Sequence, residues 1–156
     1  MNKLTMTLAA MGFGLMSGQA MACTTPANVN ALAQEIGAGV NAQRRANGKA
    51  AVRFNRQLGQ AAMAHACDMA VNNFFGHNGS NGSTVKRRVQ AAGYRDCIVA
   101  ENLAWGYPSS QQIISGWMNS AGHRSNMLHP RVSEFGVAIT EGPKGPNWVL
   151  VLASGC

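Results

Sequence analysis

Two histidines and one glutamate carry most of the chemistry this sequence offers. Glu101 lies in the apolar run Val99-Ala100-Glu101-Asn102-Leu103-Ala104, where an unpaired carboxylate is costly to bury. It needs a partner, and the 156 residues hold only six acidic side chains and four histidines. The nearest suitable groups are His77, in Phe74-Phe75-Gly76-His77-Asn78-Gly79, and His123, in Trp117-Met118-Asn119-Ser120-Ala121-Gly122-His123-Arg124. Two imidazoles and a carboxylate can hold zinc or another divalent cation with an open position, or leave Glu101 as a general base. Their separations of 24 and 22 residues match no compact ligand motif, so only the fold can gather them. The plainer alternative is a buried glutamate held by backbone amides or by one histidine.

Those residues must be positioned by a small exported domain. Met1-Asn2-Lys3, the apolar stretch Leu4 to Met16 and Ala20-Met21-Ala22 read as a basic start, a hydrophobic core and a small-x-small cleavage site. Residues 1–22 are therefore expected to be a removed signal peptide, and the apolar stretch is too short for a permanent membrane span. The remaining 134 of 156 residues suit one domain, expected to be a monomer, secreted or periplasmic. Cleavage before Cys23 also resembles a lipoprotein signal, but Ala20 replaces the bulky aliphatic residue such a signal needs. Four cysteines, Cys23, Cys67, Cys97 and Cys156, make an even set that acylation of Cys23 would break. Two disulfides are expected, with Cys67 to Cys97 and Cys23 to Cys156 favoured because chain ends commonly lie together.

Without Lys3 the chain carries twelve Lys and Arg against six Asp and Glu, a net charge of +6. That suits anionic lipid or envelope polymers. The basic residues are scattered and not interleaved with aromatics, so they read as a solvated face, and nucleic-acid binding is not expected.

Val29, Leu32, Ile36 and Val40 recur at helical spacing and predict a helix over 27–46, with Gln34, Gln43 and Arg44 on its polar side. Asn55 should cap a second helix reaching about Asn73, apolar nearly all round and so expected between layers. Within it, His65 reads as a core histidine satisfied by one hydrogen bond. A Gly- and Asn-rich loop carries His77 into a basic helix started by Thr84 and ended by Gly93. Residues 98–104 read as a strand, and 111–119 as a helix capped by Ser109 or Ser110. Gly122 is expected to break that helix before His123, and 135–140 with 148–153 to form an antiparallel hairpin. Helices followed by few strands give an α+β layered domain.

Taken in order, Asn41 with Arg44, Ala64-His65-Ala66-Cys67-Asp68-Met69-Ala70, Phe75-Gly76-His77, Arg88 with Gly93-Tyr94, Ala100-Glu101-Asn102, Trp117 to Arg124 and Gly136-Val137-Ala138 form a recognisable series. By these marks the chain resembles the CAP superfamily (cysteine-rich secretory proteins, antigen 5 and pathogenesis-related proteins; the SCP domain) in its short bacterial form. The resemblance implies a three-layer α-β-α sandwich with a central antiparallel sheet, a single domain over 23–156, and a shallow polar cleft. It places the family's cleft histidines on His77 and His123, and its glutamate on Glu101. Where many eukaryotic members have a second cleft glutamate, this chain has Ser120. Asn78, Asn102 and Asn126, with Ser120, are expected around that set.

No nucleophile suggests itself, since Ser120 has His123 three residues on and no evident oxyanion hole. The expected function is therefore binding of an extracellular ligand in a cleft that takes a divalent metal. The alternatives are a metal-assisted hydrolase of envelope peptide or glycan, and a lipid or sterol carrier.

Overall fold

The structure is a computed structural model, and it describes residues 23–156. The expected signal peptide lies outside the described residues. The elements in order are α1 (Val29–Ala46), β1 (Arg53–Phe54), α2 (Arg56–Val71), α3 (Val85–Ala91), β2 (Asp96–Trp105), α4 (Ser110–Asn119), α5 (Ala121–Met127), β3 (Glu134–Thr140) and β4 (Asn147–Gly155).

Strand alternation divides the core into two halves. Along β4, Trp148, Leu150 and Leu152 face one side with Ile36, Val40, Ile113 and Trp117, beneath α1, α4 and α5. Val149, Val151 and Ala153 face the other, packed on Leu58, Ala62, Ala66 and Met69 of α2 and Val89 of α3. The result is a three-layer α-β-α sandwich. Its sheet runs β1-β3-β4-β2, antiparallel except for β1, whose two residues pair in parallel with Glu134 and Phe135. At Gly136 on β3, an added Cβ would lie 2.1 Å from the Leu58 carbonyl carbon, so only glycine lets α2 pack this closely on the sheet.

Several local expectations need correction. The α2 helix forms an outer layer on one face of the sheet; its alanines suit close packing there and α3 lies beside it. The break between α4 and α5 falls at Ser120, whose extended backbone ends one helix and begins the next, and Gly122 lies inside α5. Asn55, Thr84 and Ser109 do accept the capping amides of α2, α3 and α4.

Two arginines read as solvated are buried. Arg44 gives its guanidinium to the carbonyls of Ala50, Met127, His129 and Val132 at 2.7–3.2 Å, tying the end of α1 to the end of α5. Burial lowers its pKa. The position continues the Ile36-Val40 stripe by one more helical step, so its location was implicit in the spacing.

The disulfides are Cys23–Cys67 and Cys97–Cys156, not the favoured pairing. Because β4 runs antiparallel to β2, with Gly155 opposite Asp96, the chain end falls beside Cys97. Cys23 is then left to fasten the start of the described chain to α2. Loops of this size contribute about 4 kcal/mol each in the chain-entropy model.

Candidate functional site

The edge strand β2 organises the site through two neighbouring residues that face opposite layers. Glu101 points toward α2 and α3, while Asn102 points toward α5, as successive side chains on a strand must.

On the first side the Glu101 side chain is only 2% exposed. Its Oε2 accepts from Arg88 Nη2 at 2.7 Å, its Oε1 meets His77 Nδ1 at 2.9 Å, and the buried His65 Nε2 lies 3.9 Å from Oε1. The partner found for the carboxylate is thus chiefly Arg88. That residue lies on the inward face of α3 with Val85 and Val89, one helical turn from the first of them. The spacing carried this signal, although the residue read as part of a basic surface.

The loop bearing His77 is pinned at several points. Arg88 also donates to the carbonyls of Ser83 at 2.7 Å and His77 at 3.1 Å. His65 Nε2 bonds the Gly76 carbonyl at 2.8 Å, the single hydrogen bond expected of a core histidine. Burial holds the His65 pKa below its usual value, against the opposing pull of Glu101. Asp68 accepts from the Ser80 amide at 2.8 Å, and its own pKa is lowered by the bonds from Ser80 and Asn72, which outweigh desolvation. With Nδ1 on Glu101, the 61% exposed His77 ring presents Nε2 outward.

On the second side Asn102 Nδ2 donates to the His123 carbonyl at 3.0 Å. Asn126 Nδ2 bridges the Glu101 carbonyl at 3.2 Å and Asn102 Oδ1 at 2.9 Å. These asparagines hold the backbone of α5 against the strand edge, and among the described residues neither makes a hydrogen bond to the imidazole of His123. Asn78 makes no side-chain hydrogen bond among the described residues. Partial burial, then the charge of nearby His77, lowers the pKa of His123. Thus His77 arrives from one layer and His123 from the other, near enough for the charge of one to act on the other.

A cavity of about 460 Å³ opens beside His123, with Ser120 and His123 in its wall together with Phe75, Trp105, Tyr107 and Trp117; His77 is not in that wall. Glu101 is buried and is not in the wall. Among the described residues no group of three or more His, Cys, Asp or Glu is placed to share a metal ion. Both Glu101 oxygens are engaged by Arg88 and His77, leaving the two imidazoles as the open donors. A resident ion held by three protein ligands does not fit this arrangement.

The model of the cysteine-rich secretory protein family, CAP, matches residues 38–152. An uncharacterized protein of Bacillus subtilis (strain 168), YkwD, is 28% identical over 125 residues, covering 80% of this chain and 48% of that relative. An uncharacterized membrane protein of the same organism, YlbC, is 28% identical over 93 residues, covering 60% of this chain and 27% of that relative. The chain therefore spans less than half the length of these curated relatives. Among solved structures, an extracellular protein containing an SCP domain from Bacillus anthracis str. Ames superposes with a TM-score of 0.73 at 26% identity, over 80% of this chain and 41% of that one. An outer surface protein of Borrelia burgdorferi shares the fold, with a TM-score of 0.78 at 14% identity, over 86% of this chain and all of that one. With the sandwich and the Glu101-Asn102 edge in place, the match over 38–152 establishes that this chain belongs to the cysteine-rich secretory protein (CAP) family.

Proposed function

We propose that the protein is an exported CAP domain that binds an extracellular ligand in the cleft beside His123 and does not cleave it. One observation carries this reading. Of the five large hydrophobic side chains left exposed among the described residues, three line this one cavity: Phe75 at 46%, Trp105 at 44% and Tyr107 at 40%. Apolar surface concentrated in a concavity with a few polar groups, here Ser120 and His123, is what a binding groove needs and a monomer otherwise avoids.

The chemistry favours binding over hydrolysis. A general base must come within hydrogen-bond reach of the proton it removes, whereas Glu101 is buried between Arg88 and His77 and lies outside the cavity wall. Ser120 makes no hydrogen bond to an imidazole among the described residues, so nothing there activates its hydroxyl. Two disulfides and the extracellular SCP-domain neighbour support export, to the periplasm or the medium. A divalent cation would meet His77 and His123 and depend on water or the ligand for its remaining positions.

The test is incubation of the disulfide-bonded protein with fractionated cell-envelope extracts, reading the fluorescence of exposed Trp105 and the release of new fragments. Saturable binding to one fraction, with no new chain ends, supports the reading. Absence of binding to every fraction, or steady release of fragments, overturns it.

A further inference from the structure

The cavity beside His123 is half of a longer trough. A second cavity of about 300 Å³ lies on the far side of Phe75 and Trp105, which line both. These two rings pack edge to face with centroids 6.1 Å apart, forming a low aromatic ridge between the compartments. Beyond the ridge, Lys144 places its amine 5.6 Å from the Trp105 ring centre, with Asn73 and Asn147 in the same wall. Neither compartment has an Asp or Glu in its lining, and Lys144 and His123 are its basic groups.

We propose that this trough binds an acidic glycan strand, lying across the Phe75–Trp105 ridge with a carboxylate- or phosphate-bearing sugar near Lys144. The inference rests on the cleft being a ligand site and names what fills it. Half-exposed aromatic side chains suit the C–H face of a pyranose, while amide and hydroxyl side chains suit its hydroxyls. A basic lining without carboxylates, on a chain of net charge +6 without Lys3, suits an anionic repeat. An extended peptide is disfavoured because it would add to the free edge of β2. The Glu101 and Leu103 carbonyls there are already taken by Asn126 Nδ2 at 3.2 Å and Trp117 Nε1 at 3.1 Å.

Calorimetric titration with an oligogalacturonate hexamer, neutral chitohexaose, an acidic hexapeptide and anionic phospholipid vesicles tests this. The acidic hexamer should bind best, more weakly as salt rises. Trp105→Ala should lose about tenfold in affinity and Trp105→Phe much less, as expected for stacking. Lys144→Gln should abolish the preference for the acidic over the neutral sugar while leaving the fold intact. Failure of both glycans, or unchanged affinity in Trp105→Ala, overturns the proposal. If peptide or vesicles bind where glycans do not, the glycan assignment fails while the cleft remains a ligand site. If none of the probes binds and the envelope fractions also fail, both readings fall.

Discussion

Arg88 Nη2 stands 2.7 Å from Glu101 Oε2, and both side chains are almost wholly removed from solvent. The same guanidinium bonds the His77 carbonyl, so one buried ion pair joins α3, β2 and the loop that presents His77. Desolvating two charges is costly, and the pair persists because each is also hydrogen-bonded to a neighbour. Its role is to hold the cleft in shape.

Removing one partner should therefore be far worse than its contact area suggests. Arg88→Met is expected to lower stability by about 3–5 kcal/mol, by leaving Glu101 buried without its countercharge. Urea denaturation measures this, and a loss under about 1 kcal/mol would show that the pair is solvated.

Arg44→Met tests the other buried arginine. Four carbonyls lose their donor, and an unsatisfied buried polar group costs about 1–3 kcal/mol. Loss of at least that much is expected, together with faster amide exchange at Met127 and Val132; unchanged exchange would place the guanidinium elsewhere.

Acid should weaken the fold through His65. Its folded pKa is depressed by burial, so the unfolded chain takes up the proton first, and stability is full above about pH 6.5 and falls as pH drops toward the folded value. His123 contributes in the same direction. Thermal melts from neutral to mildly acidic pH should show a falling midpoint, with a shallower fall in His65→Gln; an identical slope in that variant would contradict the assignment.

Zinc should bind weakly to metal-free protein, because His77 and His123 are the open donors. Isothermal titration at neutral pH should give a shallow isotherm that disappears in His123→Ala. A tight one-to-one isotherm would mean that Glu101 leaves Arg88 to ligate the ion.

A non-reducing peptide map should return Cys23 with Cys67 and Cys97 with Cys156. The favoured alternative failed because proximity of chain ends is a general tendency. Strand direction is a specific constraint, and it puts Cys156 beside Cys97.

The long elements were legible because apolar periodicity and caps such as Asn55 and Thr84 are local properties. So was the need of Glu101 for a partner, since a carboxylate in an apolar run states its own cost. The identity of that partner was less visible: Arg88 and Arg44 occupy buried helical stripes, but their charge suggested water. β1 was missed because two residues, Arg53 and Phe54, show no alternation, and their place depends on Asn41 bonding both backbone groups of Val52 nearby. The aromatic rim also escaped notice, since Phe75 lies thirty residues before Trp105 and joins it and Tyr107 only after folding.

The most direct test of a binding cleft is the indole N–H spectrum of 15N-labelled protein during addition of the envelope fraction that binds. Trp117 and Trp148 are buried, whereas Trp105 borders both compartments. Saturable movement of the Trp105 signal, together with the amides of Phe75, Ser120 and His123, is expected. Saturable binding that leaves all four unmoved would contradict the assignment of this cleft.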